Sequence, residues 1–249
     1  MIASEKVNFI SNWIKDYASN MPSKAQSLVI GISGGIDSSV SSTLSAMTGL
    51  KTIVLSMPIK QKSQQHDLSL KHQDWLVNKF KNVEAHTVNL DELFGAFSTS
   101  LSKFDNEHGM ANSRARLRMT TLYQVAAANK GIVVGTGNKV EDFGVGFYTK
   151  YGDGGVDISP IADLLKSEVF KLAKHLGVIS SIQNAKPTDG LWNDDRTDED
   201  QLGATYDELE WAMTYKKAKS SENFSKRQLE VLEIYNKHFL ANQHKMLHI

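Results

Sequence analysis

VIGISGGIDSSV, residues 29–40, decides the fold. An apolar run breaks into Ser33, two glycines, one acid and paired serines, and then the chain turns apolar again. Gly34 and Gly35 allow positive φ and let the backbone approach a ligand closely. A buried strand that opens through such a turn into a helix presents N–H groups and the positive end of a helix dipole at one mouth, which is an anion site. Ser33, Ser38 and Ser39 add hydroxyl donors. A carboxylate beside phosphates is repulsive by itself, so Asp37 is expected to hold Mg²⁺ that bridges it to them. A Walker loop is excluded, because no glycine in the sequence is followed by lysine.

Further apolar runs stand at SLVIGI (27–32), KTIVLS (51–56), VEAHTV (83–88) and GIVVG (131–135), separated by helical spacing at 38–48, 64–80 and 112–130. Short strands alternating with helices predict an α/β fold, a doubly wound parallel sheet with flanking helices on both faces. The C-terminal part reads as helical at 163–175, 205–218 and 225–241. No repeat or low-complexity linker interrupts the chain and only four prolines occur, so residues 1–249 read as a single domain. The stretches 136–160 and 184–200 lack periodicity and are expected to be site loops, the second a lid.

Composition narrows the function further. Lys plus Arg and Asp plus Glu number 28 each, and this zero net charge leaves no broad footprint for nucleic acid or an anionic membrane. No apolar run approaches the ~20 residues that span a bilayer. The opening MIASEKVNFISNWIKDYASN mixes acids with lysines, unlike a signal peptide, and reads as an amphipathic helix of a cytoplasmic protein. With no cysteine, the chain holds no disulfide, thiolate metal site or cysteine nucleophile.

The order strand, SGGIDS and helix resembles the PP-loop of the ATP pyrophosphatases, which cleave ATP between its α and β phosphates and transfer AMP to an acid or carbonyl oxygen. The stretch GTGNKVEDFGVGFYTKYGDGGVDISPIADLLKSEVFKLA (135–173) is similar to NAD synthetases in particular, as are ARLRM (115–119) and KPTDGLW with RTDEDQLGATYDELE (186–210). The resemblance implies an adenine nucleotide alpha hydrolase-like, Rossmann-like fold. It also implies a ligase that adenylates the nicotinate carboxylate of deamido-NAD and lets ammonia displace AMP, giving NAD and pyrophosphate. Glutamine-using members carry an amidase domain with a cysteine nucleophile, so this chain is expected to lack a glutaminase domain and to take free ammonia.

Residue by residue, the resemblance puts Gly31, Ile32, Ser33, Gly34, Gly35, Ile36, Asp37, Ser38, Thr136, Lys166 and Thr188 on ATP. It puts Arg116, Lys150, Asp157, His244 and Lys245 on deamido-NAD. Asp37 and Glu141 become the Mg²⁺ carboxylates. Between Glu141 and TKYGD the chain is one residue longer than many members, which leaves Asp142 as the alternative. Asp37 and Lys166 are the expected catalytic groups, with Asp153 orienting or deprotonating ammonium; an acid between glycines also suits a plain turn. Lys166 opens a helix, where the dipole disfavours a cation unless an anion partners it. Arg114, Arg116 and Arg118 read as lying at a helix start, with Arg114 and Arg118 on one face. His244 and Lys245 precede MLHI, where members often carry a basic residue and a later proline. Trp13, Trp75 and Trp211 read as core or interface, and Trp192 as either core or a cover over ATP. Members form homodimers, for which helices 4–18 and 225–241 are the candidate interface. The rival readings are a pyrophosphatase acting on another acid and a non-catalytic nucleotide binder.

Overall fold

The apolar run before SGGIDSS forms the central strand of a parallel sheet. In the computed structural model, which describes residues 1–60, 63–188, 197–215 and 224–246, β1 (Ser27–Gly31) pairs with β2 (Lys51–Ser56) on one side and β4 (Gly131–Val133) on the other. Leu28 lies opposite Thr52 and Ile132. Strand β3 (Val83–Thr87) adds beyond β2, giving the order β3-β2-β1-β4 with every pair parallel. The chain crosses from β1 to one side of the sheet and later returns to the other. The gap beyond the carboxyl ends of β1 and β4 is therefore the switch point, where doubly wound sheets bind ligands.

Strand periodicity sorts the core into two layers. Leu28, Ile30, Val54 and Ile132 face a cluster built with α1 (Ala3–Asn20), α2 (Ile36–Met47) and α6 (Lys166–Leu176). Val29, Ile53, Leu55 and Val133 face the opposite cluster, to which α4 (Asp91–Ser100) gives Phe94 and α5 (Glu107–Ala128) gives Ala126. Strand β3 is an edge: only Val83 is buried, while Glu84 to Thr87 are exposed. The remaining helices are α3 (Ser63–Lys79), α7 (Ser180–Gln183), α8 (Asp198–Leu202), α9 (Tyr206–Tyr215) and α10 (Lys226–Met246). A third cluster joins Leu202, Tyr206, Leu209 and Val231 of the C-terminal helices to Val140 and Val145.

Helix α2 explains the serines of the opening motif. Ser38, Ser39, Ser41, Ser42, Thr43 and Ser45 are all buried. Their small side chains let the helix pack closely, and most hydroxyls bond back to the helix itself: Ser39 to Gly35 O at 2.9 Å, Thr43 to Ser39 O at 2.6 Å and Ser45 to Ser41 O at 2.8 Å. Ser42 Oγ also meets Nε2 of the fully buried His72 at 3.0 Å.

Burial holds the His72 pKa down at about 4, from an ordinary value near 6.5. The unfolded chain takes up this proton first as pH falls, so the stability from His72 is complete above about 6.5 and is lost towards 4. Urea unfolding from pH 7 to 4 should show a loss of about 3 kcal/mol attributable to this group. In His72→Gln that slope should flatten, and an unchanged pH profile in the variant would contradict the assignment.

Two expectations about helices are corrected. Asn106, not a residue near 112, caps α5, its side chain accepting from Gly109 N at 2.8 Å. Arg114, Arg116 and Arg118 therefore lie beyond the first turn, out of reach of the dipole argument. Helix α4 has no counterpart among the predicted segments, because Gly95 and its serines and threonines blur the apolar spacing.

Candidate active site

The turn after β1 is shaped by glycine. Gly34 has φ 87°, a conformation costly to other residues, and Gly35 caps α2. Ser33 Oγ accepts from Gly35 N at 3.1 Å, and Ser38 Oγ donates to Gly35 O at 3.0 Å, so the hydroxyls brace the loop. The first N–H groups of α2 have no partner within the helix. They open on a cavity of about 860 Å³ at the switch point, lined by the whole 31–38 loop, by Thr136 and Gly137 after β4, and by Lys166.

At the mouth of β1 three charged groups converge. Lys166 Nζ donates to Asp37 Oδ2 at 2.6 Å and to Glu141 Oε1 at 2.8 Å. Lys166 is only 2 % exposed, which excludes a solvated surface lysine. It is the first residue of α6, so the two carboxylates offset the dipole at that position. Burial alone would lower its pKa, but the attraction of Asp37 and Glu141 outweighs burial and keeps it above the ordinary lysine value. Burial likewise works to raise Glu141, yet Lys166 and hydrogen bonds from Lys166, Tyr206 and Asn138 hold it below the usual range. Asp37 is pushed up, first by burial, with Lys166 opposing.

Asn138 organises this group from a fully buried position. Its Nδ2 donates to Asp37 Oδ1 at 3.1 Å, while its Oδ1 accepts from the N–H groups of Val140 and Glu141, both at 3.1 Å. After Asn138 the backbone makes a π-helical turn over Glu141–Val145. That turn points Glu141 towards Asp37 and Lys166. Asp142 instead lies against Gly137, where a Cβ would stand 1.8 Å from its Oδ2, and does not share Lys166. Burial raises the Asp142 carboxyl well above its ordinary value, and Asp153 and Glu141 add to the effect.

Asp153 also lines the cavity and accepts from Thr149 N at 3.0 Å. Burial pushes its carboxyl up as well. Lys245 reaches the same wall from α10, donating to Gly146 O and Tyr148 O at 2.8 Å each. Arg118 lines the cavity too, with Nε bonded to Met57 O at 2.9 Å.

Arg116, Lys150, Asp157 and His244 lie elsewhere, outside the lining formed by the described residues. Lys150 Nζ donates to His244 O at 2.8 Å, and Arg116 Nε to Lys150 O at 3.3 Å. Asp157 accepts from Val133 N at 2.7 Å and Tyr123 Oη at 3.1 Å. Thr188 lines the cavity, whereas Trp192 and the 189–196 part of the expected lid lie outside the described residues.

Trp75 stacks on His72, Trp211 packs on the third cluster, and Trp13 is 40 % exposed. Sequence reasoning assigned nothing to Asn138 or Tyr206. Both stand inside the quoted motifs, but only the folded chain shows that they touch Asp37 and Glu141.

A family model for NAD synthase matches residues 6–247. The chain is 41% identical over 215 residues to an NH(3)-dependent NAD(+) synthetase of Mesoplasma florum, covering 84% of each chain. It is 41% identical over 188 residues to the enzyme of that name from Thermoplasma volcanium, covering 73% of each. The solved structure of an NMN synthetase from Francisella tularensis superposes with a TM-score of 0.88 at 34% identity, over 100% of this chain and 98% of that one. With the motifs, the sheet order and this match over nearly its whole length, the chain belongs to the NAD synthase family.

Proposed function

We propose that the chain is an ammonia-dependent NAD synthetase, which adenylates the nicotinate carboxylate of deamido-NAD with ATP and lets ammonia displace AMP. The observation that carries this reading is the convergence of Asp37, Glu141 and Lys166 at the mouth of β1, beside a loop built to receive phosphates. A carboxylate resists attack by ammonia because oxide is a poor leaving group; joined to AMP, the same oxygen leaves readily.

The site fits a divalent cation. Two hard carboxylate oxygens already converge on one cationic atom, Lys166 Nζ. No cluster of three or more acidic, histidine or cysteine ligands occurs among the described residues. Mg²⁺ needs only one or two carboxylates and fills its shell with phosphate oxygens and water. Asp37 and Glu141 would hold it, and it would neutralise phosphate charge during transfer.

The N–H groups at the start of α2, with Ser33, Ser38 and Thr136, orient the phosphates. Lys166 stabilises charge on the leaving pyrophosphate. Asp153, more basic than an ordinary aspartate, receives a proton from ammonium. Arg116, Lys150, Asp157 and His244 hold the part of deamido-NAD that extends beyond the cavity. The homodimer belongs to the same reading, supported by the exposed apolar faces of α1 (Phe9, Trp13, Tyr17) and α10 (Leu229, Leu240). So does the cytoplasmic location; no helix among the described residues is long and apolar enough to cross a membrane.

The likeness to the Francisella tularensis NMN synthetase favours a second reading, in which the acid is the mononucleotide. One assay separates the two. Purified protein, ATP, Mg²⁺ and ammonium are mixed with deamido-NAD or with nicotinic acid mononucleotide, and AMP, pyrophosphate and amide product are counted. NAD in amounts equal to AMP is the expected result. Faster formation of NMN would replace deamido-NAD as the substrate, and ADP or no AMP would remove the reading altogether.

A further inference from the structure

Glu141 is held from two sides. Lys166 donates to its Oε1 at 2.8 Å, and the hydroxyl of Tyr206 donates to the same oxygen in a short hydrogen bond. Tyr206 is the first residue of α9 and only 6 % exposed. Its ring lies beneath the ammonium, with Lys166 Nζ 4.7 Å from the ring centroid. One side chain therefore touches both members of the ion pair, the carboxylate through its hydroxyl and the cation through its π face.

Two more contacts tie this residue into the site. The Tyr206 hydroxyl stands 3.3 Å from Asp198 Oδ2, and Asp198 N donates to Pro187 O at 3.0 Å. Pro187 and Thr188 border the cavity, so Asp198 stands between that border and the Tyr206 hydroxyl, whose single proton goes to the nearer acceptor, Glu141. One turn along α9, Glu210 accepts from both N and Oγ of Ser167 at 2.8 Å each, which clamps the helix start that carries Lys166. Helix α9 thus braces both halves of the ion pair, and a packing role alone would need neither the hydroxyl nor Glu210.

We infer that Tyr206 is a positioning residue, whose hydroxyl sets the carboxylate of Glu141 for a nucleotide-bound divalent cation. The inference rests on the proposed function for the nucleotide and the cation, and not on the identity of the acid substrate. A carboxylate ligand freed of its outer hydrogen bond can rotate away from the geometry the ion requires. Loss of such partners typically costs 10- to 100-fold in metal affinity or activity.

Tyr206→Phe tests this, because it keeps the ring, its place in the cluster with Leu202 and Leu209, and its face towards Lys166, and removes only the hydroxyl. The probe is Mn²⁺, its binding followed by electron paramagnetic resonance in the presence of an ATP analogue that cannot be cleaved between the α and β phosphates. The expected result is a Mn²⁺ dissociation constant raised about 10-fold or more. Affinity for the same analogue in excess chelator should change by less than twofold, and urea unfolding of the free variant should stay cooperative.

Mn²⁺ affinity within twofold of the unsubstituted chain overturns the inference, as does equal weakening of metal-free nucleotide binding. If the unsubstituted protein binds Mn²⁺ with the analogue but makes no amide product, the proposed function fails and the comparison of affinities still decides the role of Tyr206. If it binds no Mn²⁺ with the analogue, the positioning role is overturned as well.

Discussion

Lys166→Met should destabilise the protein by about 3–5 kcal/mol, the cost of removing one partner from a buried ion pair. The methionine fills most of the same space, so the loss is electrostatic. Asp37 and Glu141 would then face each other with no cation between them. Their side chains are 17% and 14% exposed, so water reaches them in part and the effect should fall at the lower end of that range. Urea unfolding at pH 7 measures it, and a change below about 1 kcal/mol would show that the triad contributes little to the fold. Pyrophosphate release should drop by about 10²–10³-fold, because the charge developing on the leaving group loses its fixed partner. Millimolar Mg²⁺ should recover part of the stability by binding the folded state alone, without restoring turnover.

Asp37→Asn isolates the carboxylate from the fold. Asparagine is nearly isosteric, and Lys166 stays paired with Glu141. The one asparagine oxygen can accept from Asn138 or from Lys166 but not both, at a cost of about 1–3 kcal/mol for the donor left unpaired. The variant should therefore fold. Its pyrophosphate release should fall by about 10²–10³-fold, and the Mg²⁺ concentration for half-maximal rate should rise. Turnover near that of the unsubstituted chain would remove Asp37 from the cation site.

Much of this architecture is visible in local sequence. The run SLVIG, the glycine pair at 34–35 and the helical spacing behind it place an anion site at a strand mouth, because backbone geometry and helix dipoles act within a few residues. Strands buried on both faces read as unbroken apolar runs, which made β1 and β2 plain. The edge strand VEAHT read as buried because its composition is β-branched and apolar in part, and nothing local says that its outer side lacks a neighbour. Helix α4 went unseen for the opposite reason, since Gly95 and its hydroxyl residues dilute the spacing.

The sequence by itself determined the chemistry on offer: a phosphate-binding turn, carboxylates for a hard cation, lysine for charge, and no thiol. It could not determine how these groups meet. The π-helical turn brings Glu141, and not Asp142, to Lys166 beside Asp37, and which of two adjacent acids a segment turns inward depends on how the whole segment packs. Asn138 and Tyr206 became partners of those carboxylates through contacts 101 and 65 residues apart in the chain. Local spacing carries no information over such separations; the parallel sheet and the packing of α9 against α6 bring these residues together.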